Sequence, residues 1–192
     1  MEKNLSVINS ELRSSAINHG LCNVWQRDWK EDWDFNTLAK RYLMGIDFCF
    51  KHEYPSNEYL LNNFEQSFRR SVGIIVDDNY SLLNPEVCAI IGNSKAKVRT
   101  NSNTASAIWV KDNAEVTLIA RGRSSQHVHV FGNAKIIVED CEMNAEVLIF
   151  RHSDKVEVVP YEKSVGKVLV YEELQLACRE LGLTVRVKLT VD

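Results

Sequence analysis

The chain has 192 residues, 23 lysines and arginines against 26 aspartates and glutamates, and 45% hydrophobic residues. A charged fraction of 26% with a net charge of −3 excludes a disordered, collagen-like or disulfide-scaffold protein. A chain of 192 residues buries a core of its own, as one domain or two small ones.

Behind Met1-Glu2-Lys3-Asn4 there is no apolar leader, and aliphatic runs such as Ile74-Ile75-Val76 fall far short of the ~20 residues that span a bilayer. The expectation is a cytoplasmic protein with no membrane partner. The five cysteines, Cys22, Cys49, Cys88, Cys141 and Cys178, are widely spaced without a CxxC pair. That spacing points to small buried apolar residues rather than a disulfide framework or a zinc site.

From Leu5 to Phe68 the pattern is helical. Ile8 and Leu12 share a face, and Gly20 is placed to end that first helix. Trp25, Trp29 and Trp33 fall at i, i+4 and i+8, an aromatic stripe along an expected second helix. A third helix is expected after Asn36, through Leu38, Tyr42, Ile46 and Phe50, and a fourth after Ser56 as N-cap.

The second half carries a repeat. Val98, Ile108, Leu118, Val128, Val138, Leu148, Val158 and Val168 recur every ten residues between turn phrases such as Asp112-Asn113, Gly122 to Ser125 and Gly132-Asn133. The flanking positions alternate between two classes. Ala96-Val98-Thr100, Val116-Leu118-Ala120 and Ile136-Val138-Asp140 form one; Ser106-Ile108-Val110, Gln126-Val128-Val130 and Glu146-Leu148-Phe150 form the other. Equivalent positions twenty apart imply a β-solenoid whose coils each supply two strands, with a β-sandwich as the alternative. After it, Glu172 to Leu181 reads as a short helix, and the alternation Val185, Val187, Leu189, Val191 reads as a half-buried strand that caps the last coil. The expected organisation is α+β: a small helical bundle over 1–82, a β-solenoid over 83–171 and a helix-strand cap over 172–192.

With these even-numbered positions inward, one outer face carries Lys97, Arg99, Thr117, Ile119, Ile137 and Glu139. The other carries Ala107, Trp109, His127, His129, Val147 and Ile149. The second face is more apolar and aromatic than solvent favours, so a cover is expected: the helices, a second copy or a partner. Charge is segregated as well. Residues 93–138 hold seven basic against two acidic residues, and residues 139–162 hold seven acidic against two basic.

No catalytic set is written in the chain. His127 and His129 share a strand face at a spacing a metal can use, with His152 or Cys141 as a third ligand, yet surface or interface residues are the expected reading. Ser124, Ser125, His127 and Asp140 lack a nucleophile-elbow motif, and phosphate loops are absent. Arg121-Gly122-Arg123-Ser124-Ser125 is the one turn suited to a phosphate or a nucleic-acid strand.

The phrases Asp112-Asn113-Ala114-Glu115-Val116, Gly132-Asn133-Ala134-Lys135-Ile136 and Asn144-Ala145-Glu146-Val147 resemble those of uncharacterised bacterial β-solenoid proteins of prophages and mobile elements, and more distantly bactofilin-like domains. The segment Gly45-Ile46-Asp47-Phe48-Cys49 through Tyr54-Pro55-Ser56-Asn57 looks like their helical leader. The folded N-terminal module and the C-terminal cap depart from bactofilins and would obstruct end-to-end polymerisation. Such a resemblance implies action by binding, including inhibition of a host nuclease or defence complex in the manner of anti-CRISPR proteins. The leading expectation is a non-enzymatic protein-binding module without cofactor or metal, presenting Trp109, Arg121, Arg123, His127, His129, Val147 and Ile149 to another protein. The alternatives are a self-assembling structural protein and a nucleic-acid- or nucleotide-binding protein.

Overall fold

The computed structural model describes residues 4–159, 165–173 and 186–189, and the chain divides into two compact units, Met1–Val72 and Gly73–Asp192. The first unit is helical and the second is a parallel β-solenoid.

In the helical unit, α1 spans Leu5–Asn18, with the Asn4 side chain accepting from the Ser6 N–H as N-cap. It buries Ile8, Leu12 and Ala16 together with one polar residue, Asn9. The Asn9 amide donates to the Lys30 and Glu31 carbonyls, both at 3.0 Å, and accepts from the Trp29 indole at 2.6 Å. A buried amide satisfied in this way pins a specific chain path. It also accounts for a departure from the expected tryptophan stripe. Helix α2 covers only Asn23–Asp28, and Trp29 is its extended C-cap, so Trp33 is not on the same helix. The rings still meet: Trp29 and Trp33 lie 5.1 Å apart, and the Arg41 guanidinium sits 4.8 Å over Trp33 while pairing with Asp28.

The expected third helix is two, α3 Phe35–Met44 and α4 Ile46–His52, broken at Gly45. The Trp25 ring packs against this break, 3.4 Å from where a Cβ on residue 45 would stand, an ordinary van der Waals contact. Asp34 caps α3 by accepting from the Thr37 N–H, and the Thr37 side chain together with that N–H holds its carboxyl below the usual range. Ser56 caps α5, Asn57–Asn63, as the sequence predicts, and α6 follows at Gln66–Ser71.

The solenoid begins earlier than the expected boundary at residue 83. Strands β1 Ile74–Val76 and β2 Asn79–Leu83 already pair in parallel with β3 Val87–Ile91 and β4 Lys95–Thr100. The ladder continues with β5 Ala105–Val110, β6 Glu115–Ala120, β7 Ser125–Val130, β8 Lys135–Cys141, β9 Glu146–Arg151, β10 Glu157–Val159 and β11 Lys167–Glu173. One sheet runs β1-β3-β5-β7-β9-β11 and the other β2-β4-β6-β8-β10, so each coil supplies one strand to each sheet. Antiparallel β12, Arg186–Leu189, closes the first sheet on β11. Glu172 and Glu173 therefore end a strand instead of starting the expected helix. The rest of that helix, Gly182, Val185 and Val191 lie outside the described residues.

Register explains the core. Val98, Leu118 and Val138 stack rung on rung, as do Ile108 and Val128, each removed from solvent. Turns repeat along with strands. Gly92, Asp112 and Gly132 take left-handed backbone at φ +72°, +68° and +68°, where glycine is unstrained and Asp is tolerated. The asparagines that follow form a ladder, Asn113 Nδ2 donating to Asn93 Oδ1 at 3.2 Å and Asn133 Nδ2 to Asn113 Oδ1 at 3.1 Å.

One irregularity changes the inward set. Leu118 pairs with Val138, but Ile119 pairs with Asp140, so Glu139 is an extra residue in β8. A one-residue slip in a structure of period two turns every later side chain over. Cys141, not Asp140, enters the core, and Val147 and Ile149, expected on the outer face, are fully buried while Leu148 and Phe150 turn outward. Val158 and Val168 only partly join the core.

The slip also meets a buried polar cluster. Gln126 Nε2 donates to the Ile119 carbonyl at 3.1 Å and to Thr100 Oγ1 at 3.0 Å, and Thr100 donates to Ser124 Oγ at 2.9 Å. The carbonyl at the register shift is thus satisfied from within the core.

The slip has a measurable consequence. Ile149→Ala should lower unfolding free energy by about 2–5 kcal/mol and Leu148→Ala by clearly less, measured by urea denaturation; the reverse order would place the slip elsewhere.

Candidate protein-binding face

Coils about 4.8 Å apart bring equivalent side chains to ring-stacking distance. On the outer side of the first sheet, Trp109, His129, Phe150 and Tyr171 occupy one column of successive rungs. Their centroids are 4.2, 4.9 and 5.1 Å apart and their planes within 11°, 17° and 13° of parallel. Beside them, Phe131 and His152 stack at 4.2 Å and 3°. His129 Nδ1 and His152 Nε2 lie 3.0 Å apart, one donating and the other accepting, so the two columns are joined by a hydrogen bond. His127 is exposed one position away, in a column with Ala107 and Leu148. Rings fixed on both faces have little rotamer freedom left to lose on binding.

Of the residues singled out in the sequence, Trp109, His127 and His129 share this face. Val147 and Ile149 do not, because the slip at Glu139 turns them into the core. Phe131, Phe150, His152 and Tyr171 are the residues that sequence reasoning missed. The aromatic spacing Trp109, His129, Phe150, Tyr171 was the available signal, and it follows the coil through the slip.

The basic turn differs from its expected role. Gly122 N–H donates to Glu142 Oε2 at 2.6 Å, while Arg121 lies 3.4 Å from Asp140 and 3.9 Å from Glu142. A side-chain carboxylate of the next coil fills the place an external anion would take. Arg123 is exposed and has no ion pair among the described residues.

The charge segregation of the sequence is likewise folded into pairs across coils. Lys97 pairs with Glu139, Lys135 with Glu157, Lys167 with Glu146 and Arg151 with Glu172. Their partners raise the ammonium groups of Lys135 and Lys167 above the ordinary lysine range. Exposed pairs of this kind are screened by water and add little to stability, so their effect is on register.

His127, Ser124 and Cys141 do not converge. Ser124 and Cys141 face the core, and His152 lies against His129. Among the described residues no group of three His, Cys, Asp or Glu side chains is placed to hold a metal. Burial pushes the Cys88 thiol up to about 12 and the Cys141 thiol up to about 11, and in the helical unit Cys49 up to about 12. Such thiols make poor nucleophiles. Cys22 is exposed, contrary to expectation, and Cys178 lies outside the described residues. No described helix is long and apolar enough to cross a membrane. No family model, no curated protein and no solved structure matches the chain.

Glu142→Ala should cost about 1–3 kcal/mol, because the Gly122 N–H loses a charged acceptor and Arg121 one partner. A denaturation midpoint indistinguishable from that of the unaltered protein would show that the carboxylate does not hold the turn.

Proposed function

We propose that the protein is a non-enzymatic binding module that recognises another protein through the outer face of the first sheet. The observation that carries this reading is the column of four stacked rings with the hydrogen-bonded His129–His152 pair beside it. Aromatic side chains held rigid on a sheet are the residue type that dominates binding energy at protein interfaces. On the same face exposed His127 supplies a polar contact beside them, and Arg123 is exposed in the turn that leads into β7. An inhibitory role against a nuclease or defence complex is what the resemblance of the repeat phrases adds to this reading. The neutralised turn at Gly122 weighs against the nucleic-acid alternative, which leaned on that turn.

The test is a gentle affinity capture from bacterial lysate with nuclease treatment, the recovered assembly being weighed intact. A stoichiometric second protein is expected, lost when His127→Glu and Arg123→Glu are combined, two exposed substitutions that leave the core untouched. Equal recovery by that variant, or a mass that disappears with nuclease, would overturn the reading.

A second reading, self-association, is favoured by the edges of the second sheet. Among the described residues it ends in β2 and β10, which expose Leu83 (64%) and Val159 (37%), and exposed edges invite pairing with another chain. Sedimentation at rising concentration and low salt should then show growing mass. A constant 22.0 kDa particle removes this reading.

A further inference from the structure

Two titratable groups on the first sheet are joined so directly that they act as one. The centres of the His129 and His152 rings are 5.3 Å apart, their planes 20° from parallel, and their nearest nitrogens 3.0 Å apart. The difference between the two distances is the sum of two imidazole radii. Both nitrogens therefore lie on the line of ring centres, the rings meet edge to edge, and the shared N–H points straight at its acceptor. Other rings take up the π-faces: Trp109 and Phe150 lie on either side of His129, and Phe131 lies against His152.

Such a pair takes up protons in two unlike steps. In the neutral pair one ring donates and the other accepts. A first added proton goes to the outer nitrogen of the donating ring, so the bond survives as a charge-assisted one, and the flanking aromatic faces favour the cation. A second proton has only the accepting nitrogen left to it. It puts N–H groups on both sides of the 3.0 Å gap and two positive charges in contact. It is therefore held off below the ordinary histidine range and, once taken up, ends the bond.

Around the pair stand His127 of β7, Lys111 and Asp112 after β5, and Arg151 and Asp154 on either side of His152 in the chain. From β11 come Tyr171, Glu172 and Glu173. Asp112 accepts from the Gly92 N–H, and Glu172 pairs with Arg151. None of these groups stands between the two nitrogens, so each moves both steps in the same direction and leaves them separated.

We infer that the His129–His152 pair is a pH-operated catch in the binding face, which keeps the two ring columns joined at neutral pH and parts them when it takes its second proton. Its use, release of the partner in acid, rests on the reading of this face as a binding surface; the parting itself does not.

The test is an imidazole 1H–15N NMR titration of the full chain from about pH 8 to about pH 4, which needs no partner. Two steps sensed by both rings and more than about one pH unit apart are expected, with the Trp109 and Phe131 ring signals moving at the second. His152→Phe keeps a ring against Phe131 and removes the bond, so His129 should then titrate in one step. The reciprocal His129→Phe should do the same for His152, which keeps the outcome decidable if one variant fails to fold. Independent single steps for the two imidazoles in the unaltered protein, or an unchanged His129 titration in His152→Phe, would overturn the inference. A captured partner should leave the unaltered protein at the pH of the second step, and release unrelated to that step would overturn the catch as a control of binding. Failure to capture any protein would sink the binding reading and leave the titration to decide the catch.

Discussion

Parallel, in-register stacking of twenty-residue coils is the constraint on which the solenoid depends. Once Val98 lies on Leu118 and Leu118 on Val138, the neighbouring positions lie on their own equivalents up to the slip at Glu139. A residue type suited to one rung is then suited to all of them. Buried aliphatics form the core and left-handed turn residues recur at Gly92, Asp112 and Gly132. Asparagines bond to asparagines, and aromatic rings stack on aromatic rings. The candidate face is thus a by-product of the device that builds the core.

Much of this fold was legible because a solenoid writes its geometry into linear spacing. The anchors Val98 to Val138 and the two alternating classes were enough to give the coil length and the inward set up to β8. Sequence reading went astray where a single residue mattered. Glu139 has nothing in its chemistry to mark it as a bulge, and carrying the ten-residue grid past it put Val147 and Ile149 outside. The phrase Asn144-Ala145-Glu146-Val147, one residue out of step, was the written trace of that event. In the helical unit, periodicity located the helices but not their breaks. Trp29 leaves its helix to serve Asn9, and Trp25 packs against the break at Gly45, both of which are tertiary contacts invisible to local pattern.

Polar groups inside the solenoid follow the same accounting. Thr100, Ser124 and Gln126 break an otherwise apolar interior, and they do so beside the Ile119 carbonyl at the register shift, which accepts from Gln126. An irregularity in the sheet is offset by a compensating side chain on the opposite sheet. The basic turn at Gly122 obeys a similar logic, its N–H and Arg121 both answered by carboxylates from the next coil, with Arg123 left to solvent. The positive run in the sequence is therefore partly neutralised at Arg121, because its partner charges arrive one coil later.

The asparagine ladder has a consequence for how such a protein can change size. Asn93, Asn113 and Asn133 each bond the residue one coil away, so adding or removing a full coil leaves every remaining rung with a like neighbour. The one-residue insertion at Glu139 shows the alternative: it reverses the side chains that follow, and the core continues on Val147 and Ile149 while Leu148 turns outward. The chain can therefore lengthen or shorten in steps of one coil, and each step adds or removes one ring of the aromatic column. The reach of the binding face is in this sense counted in whole rungs, and a lineage of such chains would vary in the number of its contacts before it varied in their kind.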